Sequence, residues 1–357
     1  MHEIVTTVGP SSLDVETLTQ MFYAGATDFR INLSHSSPES LTSYLDVLKG
    51  ASVPFSLDTQ GAQLRIEKII GTNFLEEGSE LNIFSVASDY DSPGIGINHS
   101  EFFTQIEVGD TLKIDFGGVV VSILNVDVSN CLARAKVLKS GNIVLNRAVD
   151  IQEKTIHLSY LTEFDEYAIG KFAASGLKSI YLSFASSRRD IQRLNALLDS
   201  CCLDEQLRPR IIAKIESRMG LLNLRDIASS VDGILIDRGD LSREISISRI
   251  PLATKAILEV CQNLSTPCYV ATNILDSMMT SDLPSRAEIS DLFNLFVSGS
   301  SGIVLAAEAA IGKNPVSSVQ VVKHMSRVYE SSADGTIGFI TGKMLNSSLA
   351  DPLLSWL

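Results

Sequence analysis

The chain has 357 residues, of which 45% are hydrophobic and 20% charged, and this is the composition of a folded globular protein rather than a disordered one. Its length suffices for one large domain or for a barrel that carries an insertion. The net charge of −13 argues against nucleic-acid or membrane partners bound through a broad basic surface, and leaves room only for a local basic pocket for a phosphorylated small molecule.

The cysteines and the N-terminus point to the cytoplasm. Five cysteines form no CxxC pair and are odd in number, so neither a disulfide framework nor a zinc site is indicated, and we expect buried thiols in a reducing compartment. The opening MHEIVTTVGP has the pattern of a short strand and a turn, not of a signal peptide, and no apolar run reaches membrane-spanning length.

Short β-branched runs alternate with amphipathic helical stretches along most of the chain. Strands that alternate with helices pair in parallel, and eight such units predict a closed (β/α)₈ barrel formed by residues 1–66 and 157–330. The predicted strands cover residues 3–8, 28–32, 54–58, 178–184, 210–215, 232–237, 267–271 and 301–306.

One segment interrupts this alternation. Over residues 67–156 the helical period disappears and β-rich pieces such as ELNIFSV and LARAKVLKSGNIVL replace it. We therefore predict an all-β domain inserted after the third barrel strand, on the face where loops commonly form a lid. Residues 331–357 are predicted to be a C-terminal tail, too short for another domain.

Two neighbouring strands deliver charged side chains at their C-terminal ends. RIIAKIES ends in Lys214 and Glu216, which have the same parity along the strand, and ILIDRGDLSREI places Asp240 in the following loop. Because two carboxylates at one barrel mouth repel each other, a shared Mg²⁺ is the expected resolution, with Lys214 as a fixed positive charge for a phosphoryl group or oxyanion. The alternative is that these are ordinary surface ion pairs.

The other strand ends favour a site over scattered ion pairs. Nearly every predicted strand end is polar, and two of these ends carry an arginine. Reactive groups of such barrels lie at this end of the strands. The residues concerned are Arg30, Asn32, Ser34, His35, Asp58, Thr59, Arg65 and Thr272.

With these residues in place, the chain resembles the pyruvate kinase family. The stretches FRINLSHSS, SLDTQGAQLR, VGDTLKIDFG, LTEFD, LSFASS, AKIES, RGDLSREI, ATNILDSM, PSRAEISD and EAAIGKNPV are similar to family landmarks and occur in the same order, over residues 4–325. The resemblance implies phosphoryl transfer between phosphoenolpyruvate and ADP, giving pyruvate and ATP, and a possible homodimer through the barrel.

The same resemblance assigns roles to residues. It implies that Lys214, Arg30 and Thr272 are catalytic, and that Glu216 and Asp240 hold Mg²⁺ or Mn²⁺. Gly239, Asp240, Thr272 and Arg65 would bind the substrate, and Arg30, Thr7 and Arg147 the nucleotide, with Pro10 on the nucleotide side and Asp115 on a turn of the lid. A monovalent-cation site, K⁺ in the family, would consist of Asn32, Ser34, Asp58 and Thr59.

Several positions depart from the family pattern. Gln60 replaces a lysine, Gln63 replaces a glutamate and leaves the K⁺ requirement open, and Ser186 replaces an arginine. Ala306 and Ala309 lack hydroxyl groups, and Asp237 replaces a small residue. The sequence also stops short of the family's C-terminal regulatory domain, so neither its sugar-phosphate effector site nor its share of a tetramer interface is expected.

Three functions remain open at this point. The chain is a phosphoenolpyruvate–ADP phosphotransferase, or a divergent metal-dependent enzyme that acts on another enolpyruvate or keto acid, or a catalytically weak regulatory relative. Asp237 separates the first two. If it points into the site, the substrate carries a hydrogen-bond donor there, whereas a pairing with Arg238 or with a lid residue leaves phosphoenolpyruvate as the substrate.

Overall fold

A computed structural model describes residues 2–333 except for 62, 116, 153, 155, 157, 159, 160, 202 and 203. Eight parallel strands close into a barrel in the order β1-β17-β16-β15-β14-β13-β3-β2. These strands are β1 (Glu3–Thr7), β2 (Asp28–Asn32), β3 (Phe55–Asp58), β13 (Ser179–Leu182), β14 (Arg210–Ile215), β15 (Gly233–Asp237), β16 (Cys268–Ala271) and β17 (Gly302–Leu305). The predicted (β/α)₈ barrel is confirmed.

Helices surround the barrel and several begin at a side chain that caps them. Asp14, Ser37, Thr162 and Ser285 each accept a hydrogen bond from a backbone amide of the first turn, which satisfies a donor that the helix leaves unpaired. The helices are α1 (Val15–Ala24), α2 (Pro38–Ala51), α3 (Glu163–Phe172), α4 (Arg188–Cys201), α5 (Arg218–Leu222), α6 (Leu224–Ala228), α7 (Arg238–Glu244), α8 (Ile250–Leu264), α9 (Arg286–Val297), α10 (Ala307–Ala310) and α11 (Pro315–Ala333).

The inserted segment folds as a separate antiparallel-rich sheet. Seven strands pair in the order β12-β8-β9-β10-β6-β7-β4, and β5 pairs with β11. They are β4 (Ile66–Ile70), β5 (Phe74–Leu75), β6 (Glu80–Ser85), β7 (Gly94–Ile97), β8 (Thr111–Ile114), β9 (Val119–Asp127), β10 (Leu132–Lys139), β11 (Gly141–Asn142) and β12 (Val149–Ile151). The predicted all-β insertion after the third barrel strand is thus present, and we call it the lid.

Each unit has its own apolar core. The lid buries a cluster that includes Ile83, Phe102 and Val121, and the barrel buries a larger cluster between its strands and helices. Inside the barrel a third group fills the centre and includes Tyr181, Leu235 and Tyr269. This packed interior leaves the mouth at the C-terminal ends of the strands as the place for polar side chains.

Six of the eight barrel strands are shorter than the sequence pattern predicts, whereas Asp28–Asn32 and Arg210–Ile215 have the predicted bounds. The predicted strand 178–184 ends at Leu182, because Ser183 turns its hydroxyl to Asp58 and Phe184 adopts a left-handed φ of 54°. The apolar run therefore continues past the last paired residue. Of the predicted tail, residues 334–357 lie outside the described residues.

Two smaller expectations are also tested. Among the described residues, no helix is long and apolar enough to cross a membrane. The four described cysteines are free, but only Cys261 and Cys268 are fully buried, whereas Cys131 and Cys201 are partly exposed because they lie on a lid turn and at the end of α4.

Candidate functional site

Lys214 lies at the centre of the barrel mouth with carboxylates around it. Its ammonium group is 2.8 Å from Glu216 Oε1, 3.1 Å from Asp58 Oδ1 and 3.8 Å from Asp237 Oδ2. Burial alone lowers the pKa of Lys214, but these carboxylates outweigh burial and raise the pKa above its usual value. Lys214 is therefore a permanent positive charge at physiological pH.

Arg30 provides a second buried positive charge on the neighbouring side of the mouth. Its Nη1 lies 2.9 Å from Asp58 Oδ2, and its Nη2 donates to Thr7 Oγ1 at 2.8 Å. The guanidinium group lies over the Tyr181 ring, 5.6 Å from the ring centre. Asp58 thus joins Arg30 to Lys214 and fixes the relative position of the two cations.

Three carboxylates face one another beside Lys214. One oxygen each of Glu216, Asp237 and Asp240 lies within 4.8 Å of the other two. Burial and their mutual repulsion raise the pKa of both Glu216 and Asp240. The three side chains offer only oxygen atoms as ligands, and their negative charge exceeds what Lys214 alone can neutralise. Hard divalent cations such as Mg²⁺ and Mn²⁺ prefer ligands of this kind.

The turn after β15 brings backbone amides and the Thr272 hydroxyl to the same point. Asp237 Oδ1 accepts from the Asp240 amide at 3.3 Å and lies 3.3 Å from Thr272 Oγ1, which itself accepts from the Gly239 amide at 2.8 Å. Thr272 has a left-handed φ of 63°. Arg238 holds this turn, because its guanidinium group donates to the Thr272 carbonyl at 2.8 Å.

The lid closes one side of the mouth and adds two arginines. Arg65 donates to the Asn146 carbonyl at 2.8 Å, and Arg147 pairs with Asp115 at 3.3 Å. Together barrel and lid enclose a cleft of about 810 Å³. Its lining includes the predicted residues Arg30, Asn32, Ser34, Asp58, Thr59, Arg65, Arg147, Lys214, Glu216, Gly239, Asp240 and Thr272.

Thr7 is the one predicted site residue outside this lining. It is buried behind Arg30 and accepts hydrogen bonds from it, so the structure places it as a support for the arginine. Pro10 is exposed. Asp237 lines the cleft, whereas Arg238 pairs with Asp291 at 2.7 Å, so the pairing of Asp237 with Arg238 does not form.

Sequence reasoning missed two residues of the site. Ser183 accepts from Lys214 at 3.1 Å and donates to Asp58, and Arg243 lies 3.4 Å from Asp240. Ser183 follows the fourth barrel strand, so the rule that selected the other strand ends would also have selected it. Arg243 stands three positions after Asp240 on α7, a spacing that brings two helical side chains together.

A family model for the pyruvate kinase barrel domain matches residues 1–319. The chain belongs to the pyruvate kinase family. It is 31% identical over 338 residues to plastidial pyruvate kinase 3 of Arabidopsis thaliana, a match that covers 92% of this chain and 58% of that protein. It is 33% identical over 339 residues to a pyruvate kinase of Agrobacterium vitis, covering 92% of this chain and 69% of the relative.

A solved structure gives the same result. The crystal structure of a pyruvate kinase from Cryptosporidium parvum matches with a TM-score of 0.81 and 28% identity, over 98% of this chain and 73% of that one. The chain spans about three fifths of the length of several curated pyruvate kinases that it matches.

One departure from the family pattern has a clear structural role. The Gln60 side chain donates to the Leu33 carbonyl and accepts from the Thr162 hydroxyl, so it ties loops together at the base of the lid. The Ala306 amide donates to the buried carboxylate of Glu308 at 3.1 Å, a bond that does not depend on the side chain at position 306. The structure offers no explanation for the alanines at positions 306 and 309.

Proposed function

We propose that the chain catalyses divalent-metal-dependent phosphoryl transfer between phosphoenolpyruvate and ADP, giving pyruvate and ATP. The observation that carries this proposal is the pairing of Lys214 with carboxylates that match a divalent cation. Phosphoryl transfer requires positioning and cancellation of charge spread over several oxygens, with little covalent work by the protein. A buried lysine, a buried arginine and a cation site within one cleft supply both.

Glu216 and Asp240 would hold Mg²⁺ or Mn²⁺. The ion would supply positive charge to phosphoryl and enolate oxygens when bound. Glu216 is kept in position by the Phe184 amide, which donates to its Oε2 at 2.7 Å, and Asp240 lies in the first turn of α7. A carboxylate that is held in this way loses little freedom on binding a cation, which favours a preformed site.

Lys214 and Arg30 would supply the positive charges with which the protein itself neutralises the substrate oxygens. Lys214 would neutralise the phosphoryl group during transfer and the enolate oxygen afterwards, because its ammonium group points at the same place as the carboxylates. Arg30 would hold phosphate oxygens. The Thr272 hydroxyl, with the amides of Gly239 and Asp240, would hold the substrate carboxylate, and with a water would relay a proton to the enolate.

The lid side would receive the nucleotide. Arg147 and Arg30 both line the cleft and would bind phosphates of ADP, with Thr7 supporting Arg30, whereas Arg65 would bind the substrate. Asn32, Ser34, Asp58 and Thr59 also line the cleft, and they would form the monovalent-cation site if one is used.

One observation favours a second candidate, a metal-dependent enzyme acting on another enolpyruvate or keto acid. Asp237 adds a third carboxylate where the family resemblance has a small residue, and it lies against Thr272 and the Asp240 amide. These are the groups assigned to the substrate carboxylate, so the scaffold and metal would be kept while the preferred substrate differs.

The proposed function is tested by measuring pyruvate formation from phosphoenolpyruvate and ADP, coupled to a lactate dehydrogenase, with and without Mg²⁺. We expect Mg²⁺-dependent pyruvate formation that Glu216→Gln abolishes, because the substitution removes a charged ligand and keeps the shape of the side chain. The substitution Asp199→Asn removes an exposed charge outside the cleft and serves as the control. Absence of pyruvate at high phosphoenolpyruvate concentration would contradict the proposal.

A further inference from the structure

The barrel mouth contains more carboxylates than buried cations. Two buried cations, Lys214 and Arg30, face four carboxylates, those of Asp58, Glu216, Asp237 and Asp240. A divalent cation brings these groups to zero, and Arg243, which lies 3.4 Å from Asp240, brings them to one positive charge. Without Asp237 the same groups would carry one positive charge more. Attraction for a polyanionic substrate is weakened accordingly, since each unit of charge a few ångströms from a ligand changes its affinity substantially.

Asp237 also takes up hydrogen-bonding groups of the cleft. Its Oδ1 accepts from the Asp240 amide and lies against the Thr272 hydroxyl, while its Oδ2 lies toward Lys214 at 3.8 Å. A carboxylate of this chain therefore occupies the position in which a ligand carboxylate would find its donors. Asp237 can therefore accept a hydrogen bond from an incoming ligand but cannot donate one.

We propose that Asp237 is a specificity-determining residue: it disfavours a ligand that presents a carboxylate beside the metal and Thr272, and favours one that presents a neutral N–H or O–H donor there. The proposal rests on the metal site of the proposed function, because it takes Glu216 and Asp240 as the metal ligands. It deepens the second candidate given there, since phosphoenolpyruvate presents a carboxylate of the kind that Asp237 disfavours. It names the substrate class as a metal-chelating enol or keto compound with an amide or hydroxyl group at that position.

Asp237 has a structural role as well, and the two roles can be separated. It is the N-cap of α7, through the same hydrogen bond to the Asp240 amide. The substitution Asp237→Asn keeps a cap acceptor and the side-chain size but removes the charge. Loss of a cap lowers stability, yet it does not raise the affinity of the site for an anion.

Oxalate and oxamate form a matched pair of ligands, because oxamate carries an amide in place of one carboxylate. We would titrate both by calorimetry into the wild-type chain and into Asp237→Asn, with saturating Mn²⁺. Oxalate chelates Mn²⁺ more strongly than oxamate does by itself, so the change in the ratio of the two affinities on substitution is the quantity that tests Asp237. In Asp237→Asn, oxalate affinity should rise by about ten- to a hundredfold, the scale of removing one charge about 5 Å away, while oxamate affinity changes by less than about threefold.

Asp199→Asn is the matched control, because Asp199 forms an exposed pair with Arg208 and lies outside the cleft lining. It should leave the ratio of the two dissociation constants unchanged. An unchanged ratio in Asp237→Asn would overturn the proposal.

The outcome also separates this proposal from the proposed function. Tight Mn²⁺-dependent oxalate binding by the wild type, with an unchanged ratio in the variant, overturns the role of Asp237 and leaves the metal site standing. Oxalate binding that is gained only in Asp237→Asn supports the role of Asp237. If neither protein binds either ligand with Mn²⁺, the metal site and the role of Asp237 both fail.

Discussion

The ammonium group of Lys214 lies 2.8 Å from Oε1 of Glu216, two positions further along the chain, and both side chains are almost completely buried. A buried ion pair adds little stability to a fold compared with a well-packed apolar pair, because removing two charges from water is costly. Its presence at a barrel mouth therefore indicates a functional reason for keeping charge there, and the proposed metal site supplies that reason.

Removing this lysine should destabilise the fold strongly. The substitution Lys214→Met leaves Asp58 and Glu216 without their shared cation, and breaking a buried pair in this way costs about 3–5 kcal/mol of unfolding free energy. Urea unfolding measures the loss. Lys313→Met is the control, since Lys313 forms an exposed pair with Asp282 and its loss should cost less than about 1 kcal/mol. Equal effects of the two substitutions would contradict the picture of a buried charge network.

Asp165 should be the residue that fastens the lid to the barrel. Its carboxylate accepts from the amides of Gln60, Gly61 and Thr162, at 2.7, 3.2 and 2.9 Å, so it joins the chain before the lid to the chain after it. We expect Asp165→Ala to lower the unfolding free energy by about 2–4 kcal/mol, because it leaves several buried amides unpaired. Protease cleavage near residues 60–67 should become faster.

Asp14→Ala provides the comparison for this prediction. Asp14 caps α1 and also accepts from a backbone amide, but it is exposed and its hydrogen bond to Thr17 stays within one turn of the chain. Its loss should cost about 1 kcal/mol and leave the cleavage pattern unchanged. A cleavage pattern in Asp165→Ala that matches the wild type would show that the carboxylate does not hold the lid.

Asp28 should make stability depend on pH. It is fully buried inside the barrel, where it accepts from Ser56 and Tyr181, and burial raises its pKa to about 6, with Lys178 and Arg210 opposing. A raised carboxyl pKa means that the folded state binds the proton more tightly than the unfolded state. The stabilisation is thus fully present below the unfolded pKa near 4 and is lost as pH rises through about 6.

The substitution Asp28→Asn removes this titration and identifies its contribution. Between pH 4 and pH 7 the unfolding free energy of the wild type should fall by on the order of 3 kcal/mol more than that of Asp28→Asn. A difference in stability between the two proteins that does not depend on pH leaves this comparison unaffected. Urea unfolding across this range measures the difference, and other titrating groups cancel because both proteins contain them. Parallel pH profiles would mean that Asp28 does not carry the effect.

Much of the fold could be predicted because it depends on patterns of residues that are close together in the sequence. Alternating β-branched runs and amphipathic helices gave the barrel, and the loss of helical period over residues 67–156 gave the lid. The polar strand ends were visible for the same reason, since Lys214 and Glu216 follow directly after an apolar run. These features depend on residues close together in sequence.

The parts that sequence reasoning missed depend on residues far apart. Asp165 has the local pattern of a helix cap, and nothing near it shows that it also bonds to residues 60 and 61, more than 100 positions away. Asp28 is the first residue of its strand, and its partners Ser56 and Tyr181 come from two other strands. The orientation of Asp237 likewise depends on Thr272, which β16 brings to the same turn.

Binding of Mn²⁺ itself, measured by the loss of the free-ion EPR signal, tests the proposed metal site most directly. We expect one tight site per chain in the wild type, an affinity that falls at least about tenfold in Glu216→Gln because one of the protein's charged ligands is lost, and no change in Asp199→Asn, which removes an exposed carboxylate paired with Arg208. A Glu216→Gln chain that binds Mn²⁺ as tightly as the wild type would contradict the assignment of Glu216 and Asp240 as the metal ligands.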